Sequence, residues 1–280
     1  MFARQTFMEG ENAAKTPTRD EVEGWLPMPL DVAGIVHDYL GNPFVTLWEV
    51  SKGGNHMIRL PLNSYLADCV VSWGDGWNNH IRDFNGTNAT HQYSRAGLYK
   101  VHISGSIRAF RFGGCSRYTG VPIQDCSELL DVSQWGCVRL RTGCKSFEGC
   151  TKLTVTARDA PGLTDAKDLS RMFAGCVSLR KEDFSSWDTS GVTNMHGMFD
   201  GCDQFDGNVS SWSTSSVTDT GKMFRGCRLF NGDLGPWDTS KVIYAEDMFR
   251  GCVSFKGDLS SWDIGSRRVN RLQTGKRWRK

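Results

Sequence analysis

The sequence predicts a mostly-β protein in which a β-sandwich is followed by a solenoid of about five rungs, each of about 25 residues. Three observations carry that reading. Trp187, Trp212, Trp237 and Trp262 stand 25 residues apart without exception, and Cys150, Cys176, Cys202, Cys227 and Cys252 follow one another at 26, 26, 25 and 25. Upstream of residue 113 the pattern changes to the period-two alternation of strands, as in Val101-His102-Ile103. The 280 residues include 31 Gly and 10 Trp but are only 39% hydrophobic, which suits tight turns packed on aromatics better than long helices.

In chain order, residues 1–43 read as a polar N-terminus and a short helix. Residues 1–20 lack the apolar core of a secretory signal, and the helix would run through Ile35, Val36, Tyr39 and Leu40 after Leu26-Pro27-Met28-Pro29-Leu30. Residues 44–112 carry the sandwich: Val70-Val71-Ser72-Trp73 ends in a Gly74-Asp75-Gly76 turn, and His91-x-Tyr93 and Gly97-x-Tyr99-x-Val101 alternate. Residues 113–160 read as a degenerate first repeat and cap, because Trp135 stands 15 residues before Cys150, the spacing that also separates Trp187 from Cys202.

Residues 161–265 hold the repeats proper, built on three frames. Met172-Phe173-Ala174-Gly175-Cys176 recurs from Met198, Met223 and Met248, and Ser146 to Cys150 is a variant of it. Phe205-Asp206-Gly207-Asn208-Val209-Ser210-Ser211-Trp212 recurs from Phe230 and Phe255. Asp188-Thr189-Ser190-x-Val192 recurs from Asp238. The first frame predicts one helical or 3₁₀ turn, the second a short strand, the third a turn into the next rung. Each unit has too few apolar positions for a core of its own, so units must stack to bury them.

Residues 266–280 form a basic tail: seven Lys or Arg between Arg267 and Lys280 and no acid, against a remainder of 26 basic and 31 acidic residues. Two readings of it stay open. Val269 and Leu272 would cover the open end of the stack, which is the preferred one, or the charges would hold an anionic surface.

The three frames resemble the BspA-like leucine-rich-repeat surface protein family, with its DUF285-type repeats, over residues 137–264. Trp73-Gly74-Asp75-Gly76 with His91-x-Tyr93 resembles the PKD-like module that precedes such repeats. The resemblance implies a leucine-rich-repeat-like fold, adhesion or protein–protein interaction, and a cell-surface location; it implies no catalytic residues. Without a signal peptide the chain itself points to the cytoplasm, so localisation stays open. The stretch from Leu26 to Leu40 resembles the start of an F-box, which gives an alternative, an intracellular adaptor; a structural or particle component is a third reading.

No His-Glu-x-x-His, Gly-x-Ser-x-Gly or Walker A motif occurs, and His37, His56, His80, His91, His102 and His196 are scattered, so no enzyme, no small-molecule substrate and no cofactor is expected. The cysteines show no Cys-x-x-Cys pairing for zinc; as a column they are expected to be buried thiols, with disulfides the alternative. The tryptophans would be a ligand platform or, as the fixed spacing favours, rung interior. Asp75 reads as turn chemistry in preference to a calcium ligand. Asn85, Asn88 and Asn208 begin glycosylation sequons, relevant only in a secretory pathway. No transmembrane segment is expected. Specificity for a protein partner is expected in the positions that vary between repeats: Gln204, Asp206, Arg225, Arg228, Lys241, Tyr244, Arg250 and Lys256.

Overall fold

The structure, a computed structural model, describes residues 42–53, 56–62, 68–81, 89–107, 110–112 and 126–263. The helix predicted near the N-terminus with its F-box-like stretch, the sequons at Asn85 and Asn88, and the basic tail lie outside them.

Alternation drives the first half. In β1 (Phe44–Val50) every second side chain, Phe44, Thr46, Trp48 and Val50, is buried. Thr46 is the polar member of that row, and its hydroxyl accepts from the Trp48 indole at 2.8 Å, so the buried N–H is satisfied within the strand. β1 lies between β6 (Gly97–Ser106) and β7 (Leu129–Gln134), antiparallel to both. The full sheet adds β3 (Asp68–Ser72), β4 (Asn78–Ile81) and β8 (Thr154–Val155), in the order β4-β3-β6-β1-β7-β8. A second sheet pairs β2 (Met57–Arg59) with β5 (Thr90–Gln92), and its Ile58 joins the same core.

The predicted Gly-Asp-Gly turn links β3 to β4. Gly74 has φ +83°, and a side chain there would meet the Lys100 carbonyl at 2.6 Å, so the position tolerates only glycine. Asp75 accepts from the Trp77 amide and holds the His91 ring at 2.7 Å, while His91 stacks on Trp73. Its carboxylate therefore serves the turn and the neighbouring sheet.

The main sheet runs on beyond residue 112. β7 and β8, read from sequence as part of a degenerate first repeat, are hydrogen-bonded into it, and the β7–β8 pair is parallel, like the rungs that follow. Phe110, Phe112 and Trp135 pack on Phe147 of the first rung, so one core runs from the sheets into the repeats.

From residue 143 onward the chain stacks on itself at the repeat spacing. The first frame is neither helix nor 3₁₀. Alternate residues make local three-residue turns (Met172 to Leu169, Ala174 to Arg171, Cys176 to Phe173), and the residues between them donate forward to the next rung. Leu169, Arg171, Phe173 and Gly175 thus donate to the carbonyls of Asn194, His196, Met198 and Asp200. The same four bonds recur at each of the four interfaces from Gly143 to Arg250, all between 2.7 and 3.0 Å. Two residues per rung need positive φ for this zigzag: the Gly before each cysteine (+76 to +84°) and the residue before each Met or Ser146, which is Lys145, Arg171, Gly197, Lys222 or Asp247 (+56 to +59°). The second frame, predicted as a strand, shows only an isolated parallel bridge, Asp183 to Asn208, among the described residues. The third frame is a turn, as predicted: Val192, Val217 and Val242 donate to Thr189, Thr214 and Thr239.

Candidate functional site

The repeated side chains are spent inside the stack. Phe147, Phe173, Phe199, Phe224 and Phe249 form a column with ring centroids 5.4–5.9 Å apart and nearly parallel planes. Phe205, Phe230 and Phe255 form a second, and Trp187, Trp212, Trp237 and Trp262 a third at 6.1–6.4 Å. The indoles of Trp212, Trp237 and Trp262 donate to the carbonyls of Phe184, Val209 and Leu234 in the rung before. Trp135 heads the column, and its buried N–H finds no acceptor among the described residues. Trp187, Trp212 and Trp237 are buried and Trp262 is half-buried, so the column exposes little ring surface.

The cysteines behave likewise. Cys176, Cys202, Cys227 and Cys252 each donate S–H to the carbonyl of Phe147, Phe173, Phe199 or Phe224, at 2.8–3.1 Å. Cys150 is buried in the same column, and all five are free thiols. Burial holds Cys176, Cys202 and Cys227 far above the ordinary thiol range and pushes Cys252 up to about 12, which disfavours the thiolate at these four. Among the described residues no group of three or more His, Cys, Asp or Glu is placed to hold a metal ion. No helix among them is long and apolar enough to cross a membrane.

The candidate interaction residues divide into two groups. Arg225 is engaged internally: its guanidinium grips Asp200 with two bonds of 2.7 and 2.6 Å, and those bonds raise its pKa. Asp200 also meets Arg171, which binds Glu148 at 2.6 Å, so Glu148, Arg171, Asp200 and Arg225 lace four rungs together. Arg250 pairs within its own rung with Asp247 at 3.6 Å. This lacing was missed at the sequence level, although Glu148, Asp200, Arg225 and Arg250 share one position of the repeat and could have signalled it.

The second group is on the surface. Gln204 and Arg228 both meet Asp203, at 2.7 and 3.6 Å, beside exposed Leu229. Asp206 accepts from the Asn231 amide, and the Lys256 amide donates to Asn231 Oδ1 while the Lys256 side chain stays exposed. Lys241 is exposed near Ile243 and Tyr244, which are 42% and 55% exposed.

Ile243 and Tyr244 stand where other rungs carry working polar residues. At the Tyr244 position Asp168, Asn194 and Asp219 each accept from the backbone amide two residues on, in Ser170, His196 and Gly221. At the Ile243 position Thr193 and Thr218 donate their hydroxyls to the carbonyls of Lys167 and Thr193. The fifth rung gives up both devices for two exposed apolar side chains.

The model of a protein family described as "Mycoplasma protein of unknown function, DUF285" matches residues 167–274. The match spans the second to fifth rungs, the part of the chain where the three frames recur, and leaves the two sheets outside. No curated protein and no solved structure matches the chain.

Proposed function

We propose that this is a non-enzymatic recognition protein, a leucine-rich-repeat-like solenoid carried on a PKD-like β-sandwich, which binds a protein partner or adheres to a surface through its exposed, varying positions. The observation that carries the reading is the pair Ile243–Tyr244. A repeat protein that only needs to stack has reason to keep the Thr and Asp or Asn found there in other rungs, since each closes a backbone hydrogen bond worth about 0.5–1.5 kcal/mol. Their replacement by exposed Ile and Tyr, beside Lys241, trades that stabilisation for a patch of the composition that protein interfaces favour at their centres. The match to the DUF285 family over residues 167–274 and the burial of the repeated residues are consistent with the same reading.

The test is a variant that restores the repeat, Ile243→Thr with Tyr244→Asp. It is expected to melt at or above the temperature of the parent protein, and to lose partners that the parent retains in cell-surface proximity labelling. An identical set of partners for the two proteins would remove this patch from the proposal.

A further inference from the structure

The arginines of the fourth and fifth rungs are placed against the needs of the stack. At the repeat position of Arg225 the five rungs carry Glu148, Ala174, Asp200, Arg225 and Arg250. Asp200 and Arg225 are neighbours of opposite charge and bind each other. Arg250 then sets a second guanidinium beside the first: the Gly226 amide donates to the Arg250 carbonyl at 2.7 Å, which holds the two arginines on adjoining stretches of chain. Like charges facing each other across paired segments are unfavourable. Arg228, three residues after Arg225, adds a third cation where the other rungs have Thr151, Val177, Asp203 and Val253.

Asp200 holds Arg225, but Arg228 and Arg250 are barely held. Their carboxylates, Asp203 and Asp247, stand 3.6 Å away, beyond hydrogen-bond distance, and neither guanidinium makes a hydrogen bond among the described residues. The two side chains are 66% and 62% exposed, so most of their N–H donors are left to solvent. Apolar side chains adjoin them. Leu229 follows Arg228 directly, and Val253 precedes Ser254, whose amide donates to the Arg228 carbonyl; both are exposed, Val253 at 74%. Leu229 also displaces a working residue, since at its position in the second rung the Ser178 hydroxyl donates to the Thr151 carbonyl at 2.7 Å.

We propose that Arg228 and Arg250, with Leu229 and Val253, form a docking surface for an acidic, aliphatic peptide segment of a protein partner, Arg225 adding to the charge. A guanidinium fork takes a carboxylate by two bonds and gives up its water more readily than an ammonium does. Arginine is accordingly enriched in protein interfaces. Leu229 and Val253 would cover aliphatic side chains beside the acids of the segment. A long polyanion suits the place less well, because Asp203 and Asp247 flank the guanidiniums and would face its next charges. This surface rests on the reading of the chain as a recognition protein, but not on Ile243 and Tyr244, which precede the first frame of their rung where Val253 follows it.

Short random peptides displayed on phage and selected on the full chain are the probe. The enriched peptides should combine Asp or Glu with Leu, Ile or Val, and synthetic copies should bind about 10-fold more weakly once each acid is replaced by its amide. The variant Arg228→Thr with Arg250→Ala takes the residues that the first and second rungs carry at those positions and spares Arg225. It should melt close to the parent protein and bind the same peptides about 10-fold more weakly. The variant Ile243→Thr with Tyr244→Asp should bind them as the parent does. Enrichment of peptides without acids, enrichment of none, or equal binding to the parent and the arginine variant would overturn the proposal. A loss seen only in the Ile243 and Tyr244 variant would overturn it too, by assigning the peptides to that other patch. So would phosphatidylserine vesicles held through Arg228 and Arg250 where no peptide is, since the partner would then be a membrane.

Discussion

The sheet around Trp48 and the stack around Trp237 bury their tryptophans almost equally, at 0% and 3% exposure, but by different means. Trp48 sits in a site used once: a threonine two residues away takes its N–H, and Phe112 tilts against its ring. Its strand pairs with segments some 50 and 80 residues distant, as Trp48 faces Tyr99 and Leu129. Trp237 sits in a site used four times, between two copies of itself, with its N–H on a carbonyl 28 residues back. In the sheets a residue is fixed by a particular fold. In the stack it is fixed by its own repetition, and damage should stay near where it is made.

The largest expected effect separates these two modes. Trp48→Ala and Trp237→Ala should each cost about 3–5 kcal/mol. Trp48→Ala should abolish exchange protection throughout β1, β6 and β7, whereas Trp237→Ala should leave the sheets protected and open the third to fifth rungs. Trp262→Ala, with one indole neighbour among the described residues, should lower the urea midpoint by roughly half as much as Trp237→Ala. Equal loss of protection in both regions after Trp237→Ala would erase the distinction.

A smaller effect concerns the thiols. Cys202→Ala and Cys227→Ala each remove an S–H bond to a phenylalanine carbonyl and should cost about 1–2 kcal/mol. Because burial raises their pKa in the folded state, the thiols contribute stability that is complete below the ordinary value of about 8.5 and declines as pH rises towards the folded value, about 12 at Cys252. The unfolding midpoint of the parent protein should therefore fall between pH 8 and 11, and fall less in the double alanine variant. Parallel curves for the two proteins would show that the thiols do not carry the alkaline loss.

The smallest expected effect is a gain. Lys222 holds φ +56° where the third rung has Gly197, so Lys222→Gly should relieve backbone strain and, net of glycine's entropy, stabilise by about 0.5–1 kcal/mol. Gly226→Ala, at φ +77° and with the new carbon 3.4 Å from Gly201 Cα, should destabilise instead. The same thermal melts read both, and a loss on Lys222→Gly would mean that the lysine side chain outweighs the strain.

Periodicity made the stack legible in advance. Residues recurring at 25 or 26, such as Phe199 and Phe224, had to be neighbours, so the columns of Phe, Trp and Cys were predictable from spacing alone. The backbone path inside a rung was not. A strand and a zigzag of turns both place one residue in two inward, and only Gly197 among four larger residues betrayed the left-handed position. The cross-rung ion pairs were legible only in part: Asp200 and Arg225 share one repeat position, but Arg171 meets Glu148 from a different one, so aligning the repeats does not put that pair side by side. In the sheets no period exists, and the pairing of β1 with β7 depends on contacts that pattern does not encode. The patch at Ile243 and Tyr244 was half visible: Tyr244 varied, but what the variation displaced, an Asp or Asn serving its own backbone, needed coordinates.

The forward amides of the first frame have an electrostatic consequence. In an α-helix every N–H points towards the N-terminus, which is therefore the positive pole. Along the first frames sixteen hydrogen-bonded N–H groups point the other way, so that column has its positive end at the fifth rung, while amides elsewhere in the rungs, such as those of Thr193, Asn208, Thr218 and Ile243, point back. The side chains at the left-handed position answer to that field. It holds Lys145 in the first rung, Arg171 and Lys222 further in, and then changes sign to Asp247 in the fifth, with Glu246 beside it. Acid at the positive end and base at the negative one is the arrangement that stabilises a helix, carried over to a column of hydrogen bonds that runs the other way.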